Sequence, residues 1–242
     1  MIVLKAVRKT VLRGSAVLLL VAGAACGSGE ASESSVADGD GQKLIGVFAA
    51  DAGTCKGKKV TGSYMRMVNP GGEVEKGPYV DNADSSCADG TYTPFVPGDD
   101  GGLSTIDFQP APNPIFDKDG NALATSIMEP QGFYGVKYSI STDPTDLQTE
   151  ESTTKPVILI APDGTLTGDL GSWTVSWNGQ HFNQGAPKPD GSQPGLTTIP
   201  TGTYDEATGK FTLDWASRVV GGPFDSFTGV WHLEGTFEEG KA

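Results

Sequence analysis

The sequence predicts an all-β fold, a single antiparallel β-sandwich or barrel-like domain with long polar loops, on three observations. Thirty-four glycines and sixteen prolines in 242 residues leave no long uninterrupted stretch of helical period. Aromatic and β-branched runs recur between Gly, Pro and Asp turns, which is how strands punctuate a chain. About 200 residues remain once the N-terminal segment is set aside, a length that one all-β domain commonly spans.

Residues 1–25 read as a bacterial export signal. Lys5, Arg8, Lys9 and Arg13 form a basic head, Val17 to Val21 an apolar run, and Gly23, Ala24 and Ala25 a small-residue cleavage site before Cys26. The cysteine in that place resembles a lipobox, with Gly23 standing where lipoprotein signals usually carry Leu. Ala22-Gly23-Ala24 also satisfies the rule of the ordinary signal peptidase, which would release an unlipidated chain. Residues 26–43 are small, polar and poor in apolar groups, as a flexible tether is, and residues 44–242 carry the β domain. The apolar run falls short of the roughly 20 residues that a transmembrane helix needs. The expected setting is therefore the cell envelope, outside the cytoplasm, with the membrane as partner through a diacylglyceryl group on Cys26.

The strands follow in order. Val60–Val68 alternates through Tyr64, Met65 and Met67, and Gly132–Ser141 through Phe133, Tyr134, Val136, Tyr138 and Ile140. Val157–Ile160 is continuously apolar, as in a strand buried on both faces. Pro162-Asp163-Gly164 turns the chain into Thr165–Leu170, and Trp173–Trp177 and Gly202–Tyr204 come next. Asp205–Gly209 connects to Lys210–Trp215, where Phe211, Leu213 and Trp215 share one face. In Gly229–Phe237, Trp231 and Leu233 share one face, and Val230, His232 and Glu234 the other. Tyr79–Pro114 and Gly179–Pro200 are long, polar and proline-rich, and read as surface loops.

Charge and cysteine content narrow the partners. Loss of residues 1–25 removes four cations and no acid, moving the formal net charge from −13 to −17. Nucleic acid and anionic headgroups demand basic patches, so neither is an expected partner. With Cys26 acylated, Cys55 and Cys87 remain as a pair in a compartment that permits disulfides. Closing a loop of about 33 residues contributes roughly 3–4 kcal/mol by chain entropy. A metal site is the alternative for the pair, but no histidine is near in sequence.

Polar constellations suggest where a ligand could bind. Trp177, Asn178, Gln180, His181, Asn183 and Gln184 put planar amides beside aromatic rings, as glycan and peptide sites do. The plainer reading makes Asn178-Gly179 a hairpin turn, with the other amides bonded to backbone. His232 and Glu234 lie two apart on one strand face, either as a His–carboxylate hydrogen bond or, with His181, as a metal set. Asp117-Lys118-Asp119-Gly120-Asn121 opens like a calcium loop but has Met128 where the closing glutamate belongs, and also fits a tight turn. Neither G-x-S-x-G nor H-E-x-x-H occurs, and no glycine-rich phosphate loop is present. No catalytic residue, metal or cofactor is assigned.

Two stretches, WNGQHFNQGAPKPDG at Trp177–Gly191 and GGPFDSFTGVWHLEG at Gly221–Gly235, resemble segments of an uncharacterised family of exported β-rich bacterial proteins. The likeness runs from about Thr61 to Phe237 and implies export and surface attachment, with no known activity to carry over. The two stretches are expected to meet in space. The expected function is a non-enzymatic envelope domain that binds a glycan or protein ligand. The alternative is a surface glycan hydrolase, which would use two carboxylates about 5–10 Å apart.

Overall fold

The computed structural model describes residues 41–57 and 59–241. The export signal, Cys26 and most of the tether lie outside them. Among the described residues there is no helix, and every strand pairing is antiparallel. The strands are β1 (Gln42–Lys43), β2 (Gly46–Ala50), β3 (Thr54–Lys56), β4 (Lys59–Thr61), β5 (Tyr64–Glu73), β6 (Gly77–Tyr79), β7 (Thr93–Pro94) and β8 (Gly102–Ser104). Then follow β9 (Gln131–Phe133), β10 (Val136–Thr142), β11 (Val157–Ile160), β12 (Thr165–Asp169), β13 (Trp173–Trp177) and β14 (Gln180–Asn183). The last are β15 (Thr198–Asp205), β16 (Lys210–Arg218) and β17 (Thr228–Glu239).

The large sheet runs β1-β11-β12-β15-β16-β17-β2-β8. Strand β17 pairs with β16 along one edge. On its other edge it divides, taking β5 at Thr228–His232 and β2 at Gly235–Glu239. One strand with two diverging neighbours makes the sheet curl toward a half-barrel. A four-stranded sheet, β14-β13-β10-β9, covers the inner face.

Alternation built the core as period 2 requires. Phe211, Leu213, Trp215, Trp231 and Leu233 are buried, while Lys210 and Asp214 between them are exposed. Three tryptophans join the sheets. Trp173 of the small sheet stands edge-on to Trp215 (5.1 Å between centroids) and to Trp231 (5.6 Å), which themselves stack at 5.9 Å. Such pairs contribute about 0.5–1.5 kcal/mol each beyond their burial.

Four local expectations are corrected. Gly132–Ser141 is not one strand: Tyr134 (φ 51°) and Gly135 (φ 75°) form a tight turn, with Val136 paired to Phe133. Two consecutive left-handed residues are what a two-residue hairpin of the right twist needs. Val60–Val68 is broken at Gly62-Ser63, which separates β4 from β5. Val157–Ile160 is not buried on both faces, since Ile158 and Ile160 are buried but Val157 and Leu159 only half so. The supposed surface loops contain β7, β8 and β14, and Phe182 through Ala186 is buried without a break.

That buried tongue is possible because its polar groups are partnered. Asn183 Nδ2 donates to Asp146 Oδ2 (2.7 Å) and to the Gly171 carbonyl (2.6 Å), and Asn183 Oδ1 accepts from the Gly185 N–H. Lys188 Nζ donates to the Asn183 carbonyl (2.6 Å) and Ser217 Oγ (2.7 Å). Burial lowers the Lys188 amine to about 8, against the pull of Asp146 and Asp190.

Candidate functional site

Strand β5 has two faces of different chemistry. Met65 and Met67 face the gap between the sheets. Tyr64 and Arg66 face the other way, where Tyr64 stacks on His232 (4.9 Å) and the Arg66 guanidinium lies over the rings of Tyr79 (3.2 Å) and Tyr92 (4.1 Å).

The gap behind β5 is an apolar cleft of about 40 Å³. Its walls include Met65 and Met67 from β5, Val175 and Trp177 from β13, Phe182 from β14 and Trp231 from β17. Phe224, in the connection between β16 and β17, lies against Trp177 (5.4 Å between centroids), Phe133 (5.6 Å) and Phe227 (5.7 Å). Tyr134, tilted against Phe224 (6.0 Å between centroids), is an exposed large apolar side chain, 56% accessible.

The stretches Trp177–Gly191 and Gly221–Gly235 do meet here. A β-carbon on Gly222 would stand 2.7 Å from Phe182 Cε1, and one on Gly229 2.2 Å from Gln184 Oε1. A larger residue at either place would have to push the facing side chain aside, so glycine lets the stretches touch as they do. Gln148 fastens them: its Oε1 accepts the Asn183 N–H (2.7 Å) and its Nε2 donates to the Val220 carbonyl (2.6 Å). Neither Gln148 nor Asp146 stands out in sequence, because Gln148 acts on partners far along the chain and Asp146 joins its own turn to two such partners.

The predicted ligand residues divide by position. Asn178 (φ 48°) and Gly179 (φ 70°) form the hairpin turn between β13 and β14 and are exposed. Trp177 Nε1 donates to the Phe133 carbonyl (2.8 Å), and Gln184 Nε2 to the Asn183 carbonyl (3.0 Å), so both polar ends are used internally. Gln180 is half-buried beside Gly222. His181 Nδ1 is bonded to Ser176 Oγ (2.9 Å) on the small sheet, with Phe116 tilted over its ring. Asp117 caps its own turn by accepting from Asp119 N–H, Asn121 N–H and Asn121 Nδ2.

His232 belongs to the large sheet, apart from His181. Its Nδ1 meets Asp214 Oδ1 (2.7 Å) and its Nε2 meets Glu234 Oε2 (3.5 Å). Glu234 Oε1 accepts the Gly62 N–H (2.5 Å). Among the described residues no group of three His, Cys, Asp or Glu is placed to hold a metal ion. Burial works to lower the His232 imidazole, but the hydrogen bonds and charges of Asp214 and Glu234 outweigh it and raise it above the ordinary 6.5. For His181 burial prevails over Asp143 and Asp146, and the ring falls below that value. The chain has two histidines. Their proton-resonance titrations should therefore lie on opposite sides of 6.5, with His232 the higher. Asp214→Asn should bring the higher one down, and coincident curves would contradict this geometry. The sign carries to folding: the His232 pairing stabilises the domain below pH 6.5 and that contribution is lost as pH rises through the raised value.

No family model, curated protein or solved structure matches the chain.

Proposed function

We propose that this chain is a lipid-anchored, non-catalytic envelope protein whose β domain binds an apolar group of its ligand in the cleft between the sheets. One observation carries the binding reading: two separate stretches of unusual composition converge on an aromatic cleft with the exposed ring of Tyr134 beside it. Apolar hollows with a few polar groups are the ordinary form of a ligand site, and exposed apolar patches mark places where something docks. The anchoring reading rests on the basic head, apolar run and Cys26 of the N-terminal segment.

The test of binding uses ¹³C-methyl methionine in the full-length chain with toluene as probe. The Met65 and Met67 methyl resonances should shift saturably, and Val175→Phe, which fills the cleft, should abolish the shift while leaving the β spectrum intact. Unmoved methyl signals would remove the site. The anchor is tested separately. Cys26→Ala should leave unprocessed precursor or release the protein from membranes, because two acyl chains suffice for stable attachment. An intact mass for an unmodified mature chain starting at Ala25 would overturn it.

A further inference from the structure

We infer that the outer groove across β8, β2 and β17 is a second binding site, and that its ligand is a linear aliphatic polyamine. The groove is separate from the apolar cleft, with which it shares no lining residue.

Strand β2 has an inner and an outer side. Phe48 is packed in the core, and its neighbours Val47 and Ala49 face outward, onto a groove of about 550 Å³. That volume lies within the roughly 300–1,000 Å³ of ligand pockets. Phe108, from the connection between β8 and β9, joins Val47 and Ala49 as the apolar part of the lining.

Four carboxylates border this apolar floor. Asp99 and Asp100 come from the connection before β8, Asp107 from the one after it, and Glu238 from β17. The register sets them apart. Ser104, Val47 and Glu238 are successive cross-strand partners, so two steps of about 4.8 Å separate Glu238 from Ser104. Asp107 sits at the far end of that row, its N–H bonded to Ser104 Oγ (3.3 Å). Gln109, 4% exposed, holds the third side: its Nε2 donates to Asp100 Oδ2 (3.0 Å) and its Oε1 accepts the Ser104 N–H (2.9 Å). The Thr125 hydroxyl donates to Asp99 Oδ2. Both aspartates are thus fixed through Oδ2, and Oδ1 of each is left for a ligand.

This spread of charge selects the ligand. Among the described residues no three acids converge as a metal ion requires, so a compact divalent cation does not match the groove. Dispersed carboxylates around an apolar floor match a cation that is itself dispersed. Ammonium groups reach the rim, and the methylenes between them cover Val47, Ala49 and Phe108, as a lysine stem covers apolar surface. The rim already carries one ammonium, Lys241 Nζ at 2.6 Å from Glu238 Oε2. The formal net charge of −13 draws polycations toward the whole chain. The groove decides where they stop.

The experiment titrates spermidine into the ¹⁵N-labelled full-length chain at low salt, with magnesium chloride at equal ionic strength as the compact cation. The amide signals of Ala49, Gly101 and Phe108 should shift saturably with spermidine and far less with magnesium. Asp100→Asn with Glu238→Gln should weaken spermidine binding at least fivefold, as loss of two exposed ion pairs allows. Asp119→Asn with Asp163→Asn removes equal charge outside the groove and should change binding less than twofold. Both pairs are near-isosteric, and the amide spectrum reports that each variant is folded. Equal shifts with magnesium overturn the extended ligand. Equal weakening by the two pairs, or no saturable shift at the groove, overturns the site. Trilysine binding more tightly than spermidine would assign the groove to a basic peptide and overturn the polyamine.

Discussion

Asp146→Ala should destabilise the domain by about 3–5 kcal/mol, the cost of removing one member of a buried charged network. Asp146 is 1% exposed and accepts five hydrogen bonds. Three come from its own turn, the N–H groups of Gln148 and Thr149 and the Thr149 hydroxyl. Two come from the small sheet, Thr174 Oγ1 (3.0 Å) and Asn183 Nδ2 (2.7 Å). Alanine deprives the buried Asn183 amide and Thr174 hydroxyl of one acceptor each and frees the Gln148 and Thr149 donors at the half-exposed turn, and each buried group left unsatisfied costs about 1–3 kcal/mol. Asp146→Asn should recover only part of the loss, because its amide nitrogen would face the Asn183 donor. Urea unfolding midpoints at constant slope measure both variants. A loss under about 1 kcal/mol for alanine would mean that water reaches these donors and that the turn is not the hub described.

Loss of the Cys55–Cys87 disulfide should cost roughly 3–4 kcal/mol, by the chain entropy of a loop this long. The bond is formed, over a separation of 32 residues. It ties the β3–β4 hairpin to the loop that carries Thr91 and Tyr92 onto Arg66. Cys55→Ala with Cys87→Ala should lower the unfolding free energy by that amount and expose the backbone near Tyr92 to hydrogen exchange. Global destabilisation without faster exchange there would show that the loop is held by its other contacts. These include Asn82 Nδ2 to Thr93 Oγ1 (2.9 Å) and the Ser85 hydroxyl to the Tyr92 carbonyl.

Much of the fold was legible because strand geometry is local. A period of two placed Phe211, Leu213 and Trp215 inside, and put His232 and Glu234 together on the other face of β17. Asn178-Gly179 announced its turn through residues that tolerate left-handed backbone. Tyr134-Gly135 did not, since a tyrosine at positive φ carries no turn signature and its aromatic neighbours alternate as one strand would.

The site was less legible. Asn183, Gln184 and Lys188 have the composition of a solvated loop, and burial was decided by partners in Asp146, Gly171 and Ser217 that no local pattern connects to them. Hydrogen-bond satisfaction is a property of the assembled structure.

By itself, then, the chain's sequence determined an all-β domain, the inward face of each long strand, the cysteine pair and the two stretches worth joining. These follow from backbone sterics and from the alternation of side chains, which act over a few residues. The tertiary structure alone decided that β17 would divide between β2 and β5, and that Met65, Val175, Phe182 and Trp231 would line one cleft. It also left the Trp173 and Trp231 N–H groups buried without an acceptor among the described residues. Those features arise from pairings between residues many tens of positions apart, where packing and desolvation of the whole domain choose among partners that local sequence leaves equivalent.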